Sequence, residues 1–518
     1  MASYFLNYQL VGLQPWLYHL TNVVLHAGNC ALVFELLRRW ELSRRWELSR
    51  LASGLSGPLS SGIDAEQWRN EASFVTGGSF MAAMLFAVLP VHAEAVAYVA
   101  GRSELLVAFF LLLAWLDLGF PVEAPKWIRG LGFFCLALLT KEQAVMFPAS
   151  IMLQDWTFGG VRSLKKWRWR IYWGMAVCAA GYIFLRMIAL ERGFHGGRDY
   201  FGGLPYSTRL LTMARFALER YLVPMAGGVG FGVDYSRPLL RDSEMGDWAA
   251  WLCLTGWMAL FGWAVWATIR RRSRKAFWVL CAGLFLLPVS NIIIKLDTIG
   301  AERFLYIPSI GFCAILAAFL QKLPRRAAVG IMCCLSVWYS GRAFHRNRIW
   351  GTERNYYEAA MRENPVSAGA KSGFGVALLA EGREEEAVGV FQEAIRLSSH
   401  PAAHYNLGKF YWEKGDVKNA KSHFLLADKG DPDSADVHAF LALVAEKENL
   451  PALAGEHYTR ALQLRPWDAL AHFNLARLLA AAGRTNDAAA HIKRYIALVP
   501  EGPERREGEG FLRWLQKR

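Results

Sequence analysis

The chain has 518 residues, is 54% hydrophobic and carries a formal net charge of +14. This is too long for one ordinary domain and too apolar for a soluble protein of this size. Residues 343–518 hold 24 Lys and Arg against 23 Asp and Glu, so the basic excess belongs to the first 342 residues, where it falls in short clusters between apolar runs. Such clusters are typical of cytoplasmic loops in membrane proteins. No basic helix with interleaved aromatic residues is visible, so we expect no nucleic-acid partner.

Ten apolar runs predict an all-α fold that begins with a polytopic transmembrane helix bundle. The runs lie at residues 16–37, 74–90, 103–118, 128–139, 144–153, 171–190, 248–269, 277–294, 304–320 and 327–340. Two of them, 128–139 and 144–153, are short for a hydrocarbon core that takes about 20 residues. We expect them to be half-spans or tilted helices that meet at Lys141 and Glu142. The eight cysteines all lie in this half without C-x-x-C spacing, which predicts buried thiols rather than disulfides or a zinc site.

Four basic clusters predict the orientation of the bundle. They lie at residues 38–50, 162–170, 270–275 and 322–326. All fall on one side if every run crosses once, and the positive-inside rule makes that side cytoplasmic. The opposite face then receives most of the other ionisable loop residues and everything after Gly341. This orientation leaves Met1 outside without a signal peptide, so we expect a further helix upstream. The excess of arginine over lysine favours a bacterial inner membrane, with the endoplasmic reticulum as the eukaryotic alternative.

Residues 89–106, LPVHAEAVAYVAGRSELL, place ionisable side chains between two apolar runs. Moving a charged side chain to the bilayer centre costs roughly 2.5–3.5 kcal/mol on insertion scales, so such residues normally face a bundle interior or a cavity and mark function. We expect the cluster of His92, Glu94, Arg102 and Glu104 to belong to a site at the extracytoplasmic mouth of the bundle. The alternative is that Glu94 and Arg102 form an intramembrane ion pair that only holds helices together.

From Pro401 the sequence repeats every 34 residues. Three repeats carry matching residues at His404/His438/His472, Leu407/Leu441/Leu475, Gly408/Ala442/Ala476, Ala420/Ala454/Ala488 and Pro432/Pro466/Pro500. This pattern is typical of tetratricopeptide repeats, which stack helix pairs into an α-solenoid. An irregular repeat precedes them at 368–400. We therefore expect a membrane domain at 1–342, a repeat domain at 343–502, and a charged tail or capping helix at 503–518.

The three in-register histidines raise the question of metal binding. They are one repeat apart and belong to successive helix pairs, and we expect none of them to have a close His or Cys partner. We therefore expect packing rather than metal binding.

Several stretches resemble the transmembrane and tetratricopeptide-repeat O-mannosyltransferase family and its bacterial relatives. They are residues 90–106 (PVHAEAVAYVAGRSELL), Lys141–Glu142, 233–236 (VDYS), 288–311 (PVSNIIIKLDTIGAERFLYIPSIG), the opening segment 7–36, and the repeats. The resemblance covers nearly the whole chain, and the AER-LY-PS element at 301–309 is fairly specific.

The resemblance implies a membrane glycosyltransferase that moves a hexose, with mannose expected, from a polyprenyl-phosphate carrier to Ser or Thr of extracytoplasmic proteins. The repeats would bind acceptor or partner proteins. A lipid phosphate is bound by fixed cations. The candidates for binding it are Arg102, Lys141 and Arg303, together with the neighbouring Tyr306. A general base suits the acceptor hydroxyl; the candidates for catalysis are Glu94, Glu142 and His92. Further loop candidates are Asp234, Tyr235, Asp297 and Glu302. Assistance by a divalent cation stays open.

The family pattern also sets an expectation about the start of the chain. Its catalytic acidic residues are expected in a first extracytoplasmic loop, upstream of the segment matched by 7–36. We therefore expect that the natural protein is longer or that this copy is catalytically impaired. The leading alternative is a membrane-anchored repeat scaffold without activity. A transporter ranks last, because the sequence shows no paired halves with corresponding broken helices.

Overall fold

The computed structural model describes residues 2–12, 14–52, 65–120, 126–159, 166–189, 204–233, 243–294 and 298–517. Within these ranges every regular element is a helix or helical turn, which confirms the all-α prediction. The chain forms two compact units, Met1–Asn355 (the membrane unit) and Tyr356–Arg518 (the repeat unit). The boundary lies beyond the expected position 342, because the last helix of the membrane unit continues to Ile349.

Fourteen of the described helices belong to the membrane unit. They are α1 (Ala2–Val11), α2 (Pro15–Ala52), α3 (Ala65–Val88), α4 (Ala93–Ala97), α5 (Arg102–Leu118), α6 (Lys126–Thr140), α7 (Phe147–Gln154), α8 (Lys166–Ala189), α9 (Tyr206–Phe216), α10 (Val223–Gly227), α11 (Trp248–Arg271), α12 (Arg274–Leu286), α13 (Pro308–Leu320) and α14 (Arg325–Ile349). Short helical turns connect several of them, notably Pro90–His92, Glu142–Met146 and Glu302–Leu305.

Five described helices are long and apolar enough to cross a membrane. They are Pro15–Leu42, Val99–Leu118, Arg168–Ile188, Trp248–Arg271 and Arg325–Ile349, and each coincides with one of the ten predicted runs. A sixth candidate is the bent pair Gly77–Val88 and Pro90–Ala97, with a 48° bend. The other runs form shorter helices. The membrane bundle is therefore confirmed, but only about half of the ten expected spans form helices long enough to cross a membrane.

The bend at Pro90 has a local cause that matters for the site. A residue before proline avoids the helical region, and Leu89 accordingly adopts φ −64° and ψ 121°. This ends α3 at Val88, and the chain then turns through Pro90–His92 into α4. His92 and Glu94 are consequently turned into the interior of the unit, where both are buried.

Aromatic side chains form the core on which the long helices of the membrane unit pack. Trp40 of α2 has its ring centroid 4.9 Å from that of Phe277 and 5.1 Å from that of Trp278, both on α12. Trp115 of α5 lies 5.7 Å from Phe147 at the start of α7. Large aromatic groups bury much apolar area at low entropic cost. This cluster therefore joins helices that are far apart in the sequence.

The repeat unit consists of antiparallel helix pairs, as the 34-residue period predicts. Its helices are α15 (Glu353–Glu363), α16 (Ala368–Ala380), α17 (Glu384–Leu397), α18 (Pro401–Glu413), α19 (Val417–Gly430), α20 (Ala435–Lys447), α21 (Pro451–Leu464), α22 (Ala469–Ala481), α23 (Thr485–Leu498) and α24 (Pro503–Gln516). Side-chain oxygens of Ser367, Ser434 and Asp468 cap the first helices of three repeats. The last helix, α24, packs on α23 through buried Leu515, so residues 503–516 cap the array.

Small residues at one position of each repeat allow the paired helices to approach closely. A Cβ on Gly375 would lie 2.5 Å from Phe391, and one on Gly408 would lie 2.9 Å from Phe424. Ala442 occupies the equivalent place in the next repeat and is fully buried in one cluster with Tyr458. The helix–helix distance is therefore set by these small side chains.

The expectation that the three repeat histidines lack close partners is wrong. Each faces a second histidine on the following helix, with Nδ1–Nδ1 distances of 3.1 Å for His404–His423, 3.2 Å for His438–His457 and 2.8 Å for His472–His491. The partners also recur every 34 residues. Burial, and next the facing ring, lower the pKa of His423, His457 and His491. The second helix of each pair supplies the missing partner.

We expect Ala442→Leu to destabilise the repeat unit by about 1–3 kcal/mol, because three added heavy atoms must fit between two packed helices. Thermal unfolding of residues 356–518 followed by circular dichroism measures the change. Ala452→Leu on the exposed face of α21 is the matched control and should leave the midpoint nearly unchanged. Equal shifts for both variants would contradict this account of the close approach.

Candidate functional site

The centre of the candidate site is an ion pair between Glu94 and Arg303. The guanidinium group of Arg303 contacts Oε1 of Glu94, and the backbone N–H of Arg303 donates to Oε2 at 3.1 Å. Glu94 is buried, whereas the Arg303 side chain remains 30% exposed. Arg303 therefore binds both carboxylate oxygens of Glu94, and part of its own side chain remains exposed at the surface.

A second ion pair lies beside the first. Lys141 contacts the buried carboxylate of Glu104. The ring centroid of Phe304 lies 4.9 Å from Lys141 Nζ and 5.3 Å from Arg303 Cζ. Both distances are within the range of cation–π attraction. One aromatic ring thus holds two cations near each other, and each cation is also paired with a carboxylate.

A buried ion pair positions the turn that carries Arg303. Glu302 Oε2 accepts a hydrogen bond from Arg346 Nη2 at 2.6 Å, and the two side chains are 0% and 3% exposed. On the other side of the turn, the Ala301 N–H donates to the Tyr221 hydroxyl at 3.2 Å. Glu302 is therefore occupied inside the protein, and its contribution is to fix the 302–305 turn.

His92 and Tyr306 lie behind the ion pairs. The Ser309 hydroxyl donates to the Tyr306 carbonyl, so its oxygen accepts from His92 Nε2 at 2.8 Å. The Tyr306 hydroxyl accepts from Asn29 at 3.1 Å and faces His26 Nδ1 at 2.7 Å. Both predicted site residues are buried and engaged, which gives them a positioning role.

Arg102 is the predicted phosphate ligand whose placement differs most from expectation. Its side chain is fully buried under α1 and α2. Nε donates to Asn22 Oδ1 at 2.9 Å, and Nη2 donates to the Tyr18 carbonyl at 3.0 Å. Nη1 donates to Asn7 Oδ1 and the Ser3 carbonyl, both at 3.1 Å. These contacts account for its burial without a ligand, so Arg102 holds the N-terminal helices together.

The contacts of Arg102 also answer the alternative drawn from the sequence. We considered an ion pair between Glu94 and Arg102, but Glu94 is paired with Arg303. The 4.4 Å distance from Arg102 Cζ to the Tyr4 ring centroid adds a cation–π contact. Arg102 therefore has a structural role, but its hydrogen-bond partners are neutral groups rather than a carboxylate.

Glu142 lies at the rim of the site. Its side chain is 47% exposed, and Oε2 lies 3.3 Å from Arg186 Nη1. Lys141 and Glu142 stand where α6 ends and the turn to α7 begins, because Lys141 has extended backbone angles, φ −160° and ψ 141°. The two short helices meet at this polar break, as the sequence predicts. Glu142 is thus the most accessible of the candidate catalytic carboxylates that the structure describes.

The remaining candidates Asp234, Tyr235 and Asp297 lie outside the described residues. Two contributors escaped the sequence analysis: Phe304 between the cations, and Arg346 behind Glu302. The sequence predicts Glu104 as a member of the cluster in residues 89–106, and the structure pairs it with Lys141. Among the described residues, no group of three or more His, Cys, Asp or Glu is arranged to hold a metal ion.

We expect Glu302→Gln to destabilise the membrane unit by about 3–5 kcal/mol, because it leaves the Arg346 charge buried without a counterion. The midpoint of thermal unfolding in detergent measures this loss. Glu219→Gln is the control, because it breaks the exposed Arg215–Glu219 pair at 2.7 Å, and exposed pairs contribute about 0–1 kcal/mol. Equal effects of the two variants would show that Glu302 does not hold the turn.

Comparison with known proteins bears on both units. Tetratricopeptide-repeat models match residues 378–444, 447–506 and 354–400. The Drosophila melanogaster protein O-mannosyl-transferase Tmtc3 is 25% identical over 92% of this chain and 58% of its own length. The human protein O-mannosyl-transferase TMTC1 is 25% identical over 81% of this chain and 50% of its own length. The chain therefore spans little more than half the length of the curated relatives it matches.

One solved structure similar to this chain is the crystal structure of YrrB, a tetratricopeptide-repeat protein with an unusual peptide-binding site. It is 25% identical, covers 31% of this chain and 84% of its own, and has a TM-score of 0.28.

Proposed function

We propose that this chain is a member of the transmembrane and tetratricopeptide-repeat O-mannosyltransferase family and that it transfers mannose from a polyprenyl-phosphate carrier to Ser or Thr of proteins. In this proposal the membrane unit binds the lipid-linked sugar and performs the transfer, and the repeat unit binds acceptor or partner proteins. The observation that carries it is the juxtaposition of Lys141 and Arg303 at the ring of Phe304.

The two cations suit the phosphate of the donor. A phosphodiester needs hydrogen-bond donors with fixed positive charge, and a guanidinium group can contact two of its oxygens at once. Arg303 is partly exposed and is paired with Glu94. Its exposed side can therefore bind an additional anion while Glu94 keeps its counterion. Lys141 supplies a second charge that neutralises the leaving phosphate.

The carboxylates divide into two roles. Glu94 has both oxygens on Arg303, so it orients the phosphate-binding cation. Glu142 is more exposed and lies next to Lys141, so it is the better placed of the described acids to accept the proton of the acceptor hydroxyl. His92 supports this arrangement from behind, through its hydrogen bond to Ser309.

The proposal includes a location. The chain is a membrane protein, and the charge distribution of its loops supports an orientation with the site and the repeat unit on the extracytoplasmic side. We propose the bacterial inner membrane, or the endoplasmic reticulum membrane if the chain is eukaryotic. In both cases the acceptors are proteins exposed outside the cytoplasm.

The test measures transfer of labelled mannose from polyprenyl-phosphate mannose to candidate acceptor proteins by membranes that contain the protein in its natural full length. We expect Arg303→Ala and Lys141→Ala each to lower transfer about a hundredfold, as for other groups that stabilise developing negative charge. Glu142→Gln should lower the rate while donor binding stays unchanged. Arg326→Ala, an exposed cation in the first turn of α14, is the control.

Unchanged transfer by Arg303→Ala and Lys141→Ala would overturn the site assignment. No transfer by the wild-type protein, together with retained binding of proteins by the repeats, would instead support the second candidate, a membrane-anchored scaffold. The repeat matches over residues 354–506 favour that candidate as far as protein binding is concerned. Running the same assay with and without a chelator decides whether a divalent cation assists.

A further inference from the structure

The three His pairs of the repeat unit are the most regular cluster of metal-ligating side chains in the described chain. Each joins the first helix of a repeat to the second through facing Nδ1 atoms, in His404–His423, His438–His457 and His472–His491. We propose that these pairs are binding sites for divalent transition-metal ions that prefer imidazole ligands, with Cu²⁺ bound most tightly.

In two of the three pairs, a backbone carbonyl fixes the proton position of one ring, so that its Nδ1 is free to bind a metal ion. His438 Nε2 lies 3.0 Å from the Pro432 carbonyl, and His472 Nε2 lies 3.1 Å from the Pro466 carbonyl. A carbonyl only accepts, so each Nε2 carries the proton and donates it. In the neutral ring the lone pair is then on Nδ1, directed at the partner. Metal-bound histidines show the same arrangement, with the second ring nitrogen donating to a carbonyl or carboxylate.

The distance between the facing nitrogens fits two adjacent positions around one ion. With metal–nitrogen bonds of about 2.0–2.1 Å, adjacent ligands at right angles lie about 2.9 Å apart and those of a tetrahedron about 3.4 Å apart. The observed range is 2.8–3.2 Å. An ion therefore needs only a small rotation of the partner ring, which is partly exposed in all three pairs. The partner's single proton moves from Nδ1 to Nε2, so the neutral pair releases no net proton.

Each site would hold its ion with two protein ligands. The described residues contain no group of three or more potential ligands, so water completes the coordination and the ion exchanges readily. Cu²⁺ is favoured by its position in the affinity order of first-row divalent ions. A bound ion would connect the two helices of a repeat and thereby stabilise the folded array.

The surroundings predict an order of affinity among the pairs. The Asp428 carboxylate oxygen lies 3.6 Å from His438 Nε2, and its negative charge favours a cation bound at this pair. His404 Nε2 instead faces the Ser399 hydroxyl at 3.2 Å, which does not determine the proton position. The pair His438–His457 should therefore bind most tightly, and His404–His423 least tightly.

The sequence contains its own comparison repeat. In the irregular repeat at 368–400 the two positions are occupied by Lys371 and Val390, and Lys371 pairs with Glu393 at 3.1 Å. This repeat has the same fold without the histidines. The His pairs are therefore not needed to form a helix pair of this kind, which leaves room for a binding role.

The test titrates Cu²⁺ into the metal-free full chain in detergent, with calorimetry for the stoichiometry and electron paramagnetic resonance for the ligands. We expect three equivalents with imidazole nitrogen couplings. His423→Asn, His457→Asn and His491→Asn should each remove one equivalent, because the Asn amide keeps a donor for the facing ring but provides no imidazole. Circular dichroism verifies that the helices are retained, and exposed His345→Asn controls for binding at unpaired histidines.

Asp428→Asn tests the surroundings, and we expect it to weaken the tightest site about tenfold while the other two are unchanged. Wild-type binding that survives all three Asn substitutions, or binding lost equally with His345→Asn, would overturn the proposal. So would the absence of Cu²⁺ binding to a folded chain. None of these readouts depends on mannose transfer, so the result stands apart from the proposed enzymatic activity.

Discussion

The cost of burying charge inside an apolar unit is the constraint on which the membrane unit depends. An unpaired charge is far less stable there than in water, and the buried acids of the candidate site each have a cation: Glu94 with Arg303, Glu104 with Lys141, and Glu302 with Arg346. These pairs connect α4, α5 and α14 to the turns around residues 141 and 303. The same interactions that make the charges tolerable also assemble the candidate site.

Arg102 shows a different solution to the same constraint. It has the same burial as the paired acids, but carbonyl and amide oxygens of α1 and α2 surround its guanidinium group. Four of the five N–H groups of Arg102 donate to these oxygens, and its buried side chain has no exposed face for a substrate phosphate. Arg303 has the opposite balance, with a carboxylate on one side and an exposed surface on the other. Exposure, rather than charge or position in the sequence, thus separates the structural cation from the candidate binding cation.

In the repeat unit, close packing takes the place of buried charge. Gly375, Gly408 and Ala442 set the distance between paired helices, and the remaining core positions follow from the 34-residue period. The His pairs occupy one fixed place in this frame. Their ring nitrogens meet because two positions 19 residues apart lie on facing helices, and the period then reproduces the contact twice. A regular fold can in this way multiply a single side-chain arrangement.

The sequence by itself determined the all-α class, the membrane bundle, the polar break at Lys141 and the helix pairs of the repeats, because hydropathy, proline and residue period act over short stretches of chain. It also singled out Glu94 as a costly charge, and Lys141 and Arg303 became phosphate-binding candidates through the family resemblance. Only the tertiary structure decided their partners, since Glu94 and Arg303 are 209 residues apart. It likewise placed Arg102, His92 and Tyr306 inside the protein and gave each repeat histidine its partner. These outcomes depend on which helix faces meet, and packing rather than local sequence decides that.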